Sequence, residues 1–519
     1  MNKNIYIWIL IVFLILFASS QIILKSNLTL GWDEGRHANS AHIWYDYYKT
    51  LLSGDFKSYK TFLNEYEQKG YNVKWYGLFD PPFQGMYTGL WFLILGDSVV
   101  IARLSILILV CALSFLLYFL ANKILKEEKL ALAVTVLYLL SSPMWEYSNE
   151  VILEPIISLF FVGWIYFTFY REKGSWDILL GGLCLTAASL MKYHTLIFAV
   201  GFIIVLLIYW TIKKEYQTIK KYFMVYALQG VLYVAFAGWW MYYSLIQNNV
   251  WQRMLEEGAG RAREWTFTYL TFYFRDTWPA TWGLVLFVFV PLFFKEGREF
   301  LKKNLRLVLC ILIIYIIATA LISNQQLRYA IHLLPLLYII IIKGIDLYGK
   351  WIDNIEVIKM KISFWILFIL IIIMCSVFDY KDTINRKVNM NGYQDYELLD
   401  YMKKVPEPKL LVNLKTPADI DTTGYYYNPD QFIFLTMMAN KESNPILMKQ
   451  YSYYIDLKGI EDPKPVINSI EEFPANKAIV IFKYERVGYE GMIAKIEPIL
   501  QELNYTKKEL KWWFVYQKN

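Results

Sequence analysis

Two adjacent carboxylates, Asp33 and Glu34, stand in the stretch Gly31-Trp32-Asp33-Glu34-Gly35-Arg36-His37-Ala38. A carboxylate able to take a proton near neutral pH can activate a hydroxyl nucleophile, and a neighbouring acid can orient it or share the proton. The same pair suits the start of a helix, with Asp33 as N-cap and Glu34 as a first-turn acid favoured by the helix dipole. The residues that follow support a helix. Ala38, Ala41, Trp44, Tyr45, Tyr48, Leu51 and Leu52 share one face at helical spacing, the pattern of a helix lying in a membrane interface. On these residues alone both roles stand, and the capping role is the commoner one.

Other polar groups fall between long apolar runs. Asp80 precedes Pro81-Pro82, and Glu150 stands near Glu154-Pro155. Lys192-Tyr193-His194 and Arg328-Tyr329 occupy short turns, and Arg253, Arg261, Arg263 and Arg275 lie in a longer one. A carboxylate base together with cations that stabilise a phosphate leaving group makes a coherent chemistry. Each residue also has a plainer reading: Glu154-Pro155 starts a helix, Arg328 snorkels to a lipid phosphate, and the loop arginines are solvated. Cys111, Cys184, Cys310 and Cys375 all sit inside apolar runs without a CxxC pair, which argues against structural zinc and a disulfide framework.

The elements that must position these groups are membrane helices. The 519 residues are 57% hydrophobic and 19% charged, against roughly 45–50% and 25% in soluble domains. Eleven runs approach the ~20 apolar residues a span needs: 5–24, 99–122, 130–147, 152–170, 178–191, 195–212, 222–246, 279–294, 305–322, 329–345 and 362–378. The apolar stretch 83–96 is short and follows two prolines. Basic residues decide its place. With eleven spans, Lys123/Lys126/Lys129, Arg171/Lys173, Lys213/Lys214/Lys220/Lys221, the 295–306 cluster and Lys343/Lys350/Lys359/Lys361 all fall on the side of Lys3, and the opposite short turns carry almost no basic residues: none near Ser148, only Lys192, only Arg328. The positive-inside rule then puts the amino terminus in the cytoplasm, lays 83–96 along the outer surface, and sends residues 379–519 outside. Run 5–24 is longer than a signal-peptide core and is read as a retained anchor.

The expected organisation is therefore an all-α polytopic membrane domain over 1–378, with 25–98 as its first outer loop, and an extracytoplasmic α/β domain over 379–519. In the tail, 409–414 and 478–483 read as strands, 431–440 and 488–503 as helices, and 510–516 as a final aromatic strand. The net charge of +7 is scattered through short turns, so no basic face suggests nucleic acid as a partner. Within the spans, Arg103, Glu154 and His332 lie near outer ends, and no carboxylate or base sits at mid-membrane, where a transporter would need one.

These residues in this order resemble the GT-C membrane glycosyltransferases, in the branch of protein O-mannosyltransferases and lipid A aminoarabinose transferases (family 39-like). Trp32-Asp33-Glu34 with its amphipathic helix is similar to the acidic motif of that branch's first outer loop. Asp80-Pro81-Pro82-Phe83, Leu90-Trp91-Phe92, Gly96-Asp97-Ser98 and Ala102-Arg103-Leu104 resemble its "HPPL…LW…G-S…-R-L" stretch. Leu153-Glu154-Pro155, Met191-Lys192-Tyr193 and Arg328-Tyr329 with Pro335 resemble its second acid, its lysine turn and its "RY…P" span. The resemblance covers roughly the first 345 residues. Asp80 replaces the branch's usual His or Lys, and Glu154 replaces a common Asp.

The resemblance implies an inverting enzyme that carries a sugar from a polyprenyl-phosphate donor to a hydroxyl acceptor on protein, lipid or glycan at the outer face of the cell membrane. It implies Asp33 as catalytic base with Glu34 beside it and Glu154 as the second acid. Lys192 and Arg328 become phosphate-side cations, and Asp80, Arg36 and Tyr329 further substrate contacts. A monophosphate leaving group can be stabilised by Lys and Arg alone, and a divalent metal stays open. The alternative class is a polytopic lipid or polysaccharide transporter or flippase. A third is a membrane scaffold that presents the tail.

Overall fold

The computed structural model describes residues 5–25, 32–68, 81–171, 174–250, 252, 271, 281, 283–321, 331–353, 409–412, 478–482, 489–509 and 513–518. From the amino end come α1 (Ile5–Lys25), α2 (Trp32–Leu52), α3 (Tyr59–Gln68), α4 (Phe83–Leu95), α5 (Val99–Leu125) and α6 (Glu128–Leu140). Then follow α7 (Ser142–Tyr147), α8 (Glu154–Ile165), α9 (Ser175–Ser189), α10 (His194–Ile212) and α11 (Tyr216–Met241). The last membrane-rich stretch holds α12 (Val290–Phe293), α13 (Lys295–Lys303), α14 (Leu305–Leu321) and α15 (Leu334–Asp353). The tail contributes β1 (Lys409–Val412), β2 (Ala478–Phe482), α16 (Tyr489–Glu502), β3 (Tyr505–Glu509) and β4 (Trp513–Lys518).

The chain divides into two compact units. The first comprises Met1–Ser26, Leu78–Gln84 and Arg103–Asn385; the second comprises Asn27–Gly77, Gly85–Ala102 and Arg386–Asn519.

The first unit is a helical assembly. Helix α8 packs on α9, α9 on α11, α10 on α14, and α15 on α6. Among the described residues, the helices long and apolar enough to cross a membrane lie at Ile5–Ile23, Val99–Leu125, Thr195–Ile212 and Tyr216–Gln247. Their outward faces are apolar as well: Trp8, Val12, Ile15 and Leu16 on α1 and Phe223, Val231 and Val234 on α11 are exposed. On α1 the inward stripe is Leu10, Leu14, Phe17 and Gln21, at helical spacing. Helices apolar on both faces belong in hydrocarbon.

A neutral polar cluster clamps three segments within this unit. Trp164 Nε1 donates to Gln229 Oε1 (3.1 Å), and Gln229 Nε2 donates to Thr168 Oγ1 (3.0 Å). Gly181 permits it, since a Cβ there would stand 2.7 Å from Thr168 Oγ1 and 2.8 Å from Gln229 Nε2. Buried polar groups must find partners, and these find each other.

The apolar runs become helices with some breaks. Expected span 130–147 is interrupted at Ser141, where the backbone is extended, and restarts as α7 with Pro143 in its first turn. Proline removes a helix donor and clashes with the preceding turn, so the run could not stay one helix. Expected span 279–294 is instead a 3-10 turn, Leu284–Val288, followed by the short α12 containing Pro291. Helices α8 and α11 run on into π-helical turns at Tyr166–Arg171 and Tyr242–Gln247. Expected span 362–378 lies outside the described residues, as does the tail helix expected at 431–440.

In the second unit α2 packs against α4. A Cβ at Gly89 would stand 2.9 Å from the Ala41 carbonyl and 3.0 Å from the Tyr45 amide, so a bare residue allows this approach. Helix α4 has 13 residues. At 1.5 Å each it measures about 20 Å, short of the ~30 Å hydrocarbon core. The tail strands form one sheet in the order β1-β2-β4-β3, parallel between β1 and β2 and antiparallel elsewhere. Strand β3 was not expected from the sequence. Its Tyr-Thr-Lys-Lys-Glu composition reads as a polar link, yet it occupies a sheet edge, where charged residues are normal.

Candidate functional site

The acidic motif stands at the start of α2. The helix begins at Trp32, so Asp33 and Glu34 fall inside its first turn rather than at the cap position expected for Asp33. The helix dipole favours acids there. Glu34 and His37 are buried and Arg36 is half-buried; the Asp33 side chain lies outside the described residues. The expected apolar face is real at its amino-terminal end, with Ala38, Ala41 and Trp44 buried, and gives out at Leu52, which is 73% exposed.

Neighbouring parts of the second unit hold α2 in place. Trp44 stacks on Tyr59 of α3 with ring centroids 4.0 Å apart, and Tyr45 meets Phe92 of α4 edge-on. Tyr48 donates its hydroxyl to the Met86 carbonyl at 3.2 Å. Burial, with Tyr47 alongside, raises the Tyr48 hydroxyl well above the ordinary tyrosine range, so it stays a neutral donor. His42 has one ring nitrogen 3.5 Å from Asp46 and the other 3.5 Å from Asp97. Next to Asp97, Ser98 Oγ accepts the Ile101 amide at 3.2 Å and so caps α5. The Gly96-Asp97-Ser98 stretch therefore anchors α2 and starts α5.

In the first unit, two residues singled out by the sequence meet. Lys192 Nζ lies 2.6 Å from Glu154 Oε1. Glu154 opens α8, with Pro155 beside it at the helix start, and its side chain is only 2% exposed. Lys192 lies in the turn between α9 and α10, and its side chain keeps 22% exposure. An ammonium has three N–H donors, so pairing with Glu154 is compatible with contact to a phosphate oxygen. The lysine turn is fixed from two directions. The Phe83 amide donates to the Leu190 carbonyl at 3.0 Å. Tyr193 Oη lies 3.1 Å from Ser244 Oγ and accepts Trp240 Nε1 at 3.1 Å. The Phe83 ring also meets Phe160 of α8 edge-on, which ties the Pro81-Pro82-Phe83 motif to the helix that carries Glu154.

Sequence reasoning gave Ser158 and His332 no role here. Ser158 Oγ donates to the Glu154 carbonyl at 2.8 Å and lies 3.0 Å from His332 Nδ1. A Ser four residues after the acid on the same helix face was the available signal for Ser158; His332 stood out as one of the few ionisable residues within a span, but nothing in the sequence paired it with a serine 174 residues away. Arg103 and Glu150 are buried. Asp80, Arg328, Tyr329 and the arginines at 253, 261, 263 and 275 lie outside the described residues. Among the described residues, no group of three or more His, Cys, Asp or Glu side chains is arranged to hold a metal ion.

Neither a family model nor a curated protein matches the sequence. Among solved structures the chain is similar to apo ArnT from Cupriavidus metallidurans, at 12% identity and a TM-score of 0.62, over 99% of this chain and 98% of that one. ArnT bound to undecaprenyl phosphate aligns over the same shares at 13% identity and a TM-score of 0.62. The Archaeoglobus fulgidus oligosaccharyltransferase tethered with an acceptor peptide containing the NVT sequon aligns at 12% identity and a TM-score of 0.54, over 100% of this chain and 74% of that one. ArnT is the lipid A aminoarabinose transferase, and both neighbours are GT-C glycosyltransferases, as the sequence resemblance implied. With these likenesses and its apolar helices, the chain is a multi-pass membrane protein that has the GT-C fold.

Proposed function

We propose that this protein is a glycosyltransferase that moves a sugar from a polyprenyl-phosphate donor to a hydroxyl acceptor at the outer face of the membrane, with inversion. The observation that carries the reading is the nearly full-length likeness to ArnT, a fold also solved with undecaprenyl phosphate bound. The buried Glu154–Lys192 pair agrees with it, because it joins two segments whose motifs match that branch. In the reaction, the acceptor oxygen attacks the anomeric carbon while Asp33 takes the hydroxyl proton, with Glu34 beside it. The bond from that carbon to the phosphate oxygen breaks, and its electron pair leaves with the polyprenyl phosphate. Lys192 and Arg328 stabilise the phosphate charge, with Asp80, Arg36 and Tyr329 as further contacts and Glu154 holding Lys192. We take residues 1–378 as the membrane domain and 379–519 as a second, extracytoplasmic domain.

The test is transfer of labelled sugar from a polyprenyl-phosphate donor into cell-envelope acceptors by the purified protein. Lipid movement without cleavage of the donor would instead establish a flippase. Orientation has its own expected result. Ser148 itself is buried, so cysteines introduced at the half-buried Glu146 of the same turn, at Gln325 and in the tail should react with an impermeant thiol reagent in intact cells, and those at Glu127 and Glu299 should not. Labelling at Glu127 would mean that 83–96 crosses the membrane.

A further inference from the structure

We infer that His332 is a positioning residue that, through Ser158, sets the place of the Glu154–Lys192 pair against the donor phosphate; this rests on the reading above. Hydrogen-bond bookkeeping fixes the roles. The Ser158 hydroxyl has one proton, and that proton goes to the Glu154 carbonyl at 2.8 Å. With that proton spent, the 3.0 Å contact is a hydrogen bond when His332 Nδ1 donates to Ser158 Oγ, and we assign the ring proton to Nδ1 on that ground. His332 and Ser158 are both buried, and the His332 ring also packs on Phe198 of α10, with centroids 6.0 Å apart.

The geometry makes a short chain of connections. His332 stands in the turn just before α15. Through Ser158 it grips the second turn of α8, one turn on from Glu154, and Glu154 holds Lys192 at 2.6 Å. Phe198, in the second turn of α10, places the ring against the helix that follows the lysine turn. Three segments distant in sequence thus meet around one imidazole. Without it, α8 keeps its own helix but loses this hydrogen bond to the turn before α15, and the carboxylate that holds the ammonium is positioned less firmly. His332 is too deeply buried to serve as a proton carrier to solvent, which leaves orientation as its use.

Three variants test this: His332→Leu, His332→Asn and Ser158→Ala. Asn offers an N–H donor at about the reach of Nδ1, and Leu keeps volume without a donor. Removing one buried hydrogen bond should raise the donor KM about ten-fold in His332→Leu and Ser158→Ala, with kcat within about two-fold of wild type and acceptor KM unchanged. His332→Asn should restore most of the donor KM. The His332→Leu/Ser158→Ala double variant should be no worse than either alone, since both delete the same bond. Undecaprenyl phosphate binding to the purified full chain is the parallel readout and should follow the same order. A merely structural role would lower thermal stability in all variants and leave donor KM and binding untouched, and that result overturns the inference. Should His332→Leu fail to fold, unchanged donor KM in Ser158→Ala overturns it equally. Failure of the wild-type protein to bind undecaprenyl phosphate or turn over donor overturns the functional reading and this inference with it. Wild-type binding that none of the variants alters overturns this inference alone.

Discussion

Asparagine at position 33 is expected to leave a protein that folds, inserts and binds donor while turnover falls about 100- to 10,000-fold, the usual range for loss of a general base. Asp33 lies in the first turn of α2, so two demands fall on its side chain. As a first-turn acid it stabilises the helix end by about 0.3–1 kcal/mol, and Asn forfeits no more than that. As a base it must take a proton, which an amide cannot do. The two effects differ by enough to be told apart in one experiment. Expression and thermal stability report the helix, and single-turnover transfer from labelled donor reports the base. Glu34→Gln should do less harm if Glu34 only orients its neighbour, and comparable harm if the pair shares one proton. An Asp33→Asn protein with normal transferase activity would reduce Asp33 to a helix-end acid.

Methionine at position 192 is expected to destabilise the protein by about 3–5 kcal/mol, because it strips a buried carboxylate of its cation. Glu154 is 2% exposed, and the variant removes the ammonium that now stands 2.6 Å away. Glu154→Gln in the same molecule removes the stranded charge and should recover most of that loss, since a neutral pair of similar volume is often no less stable than a buried ion pair. Donor binding should not recover with it. If Lys192 meets the phosphate, the double variant is stable and still weak for undecaprenyl phosphate, and thermal unfolding in detergent beside a binding isotherm reads both. A stable double variant with wild-type donor affinity would assign the pair to folding alone.

How far the site was legible depends on the range of the interaction. The helix that carries the acidic pair and the turn that carries Lys192 were legible because each is a local pattern: acids near a helix start, apolar residues at helical spacing, a lysine between two apolar runs. Helix α1 begins at Ile5 and α5 at Val99, the residues where the hydropathy changes. The misreadings are local patterns overruled by a stronger one. Proline at 143 broke a run that hydropathy alone made continuous. Strand β3, polar throughout, announced nothing until β4 paired with it.

By itself the sequence determined that this is a membrane protein, roughly where its helices run, and which few polar residues are worth testing. Transfer of apolar side chains from water is a residue-by-residue quantity, so a run of them declares its fate without reference to the rest of the chain. The tertiary structure alone decided which of those polar residues meet. Glu154 and Lys192 are 38 positions apart, and Ser158 and His332 are 174 apart. Hydrogen bonds and buried ion pairs act over about 3 Å with strict geometry, and distance along the chain carries no information about them until helices pack. That packing turned a lone histidine in an apolar run into the partner of the helix that presents Glu154.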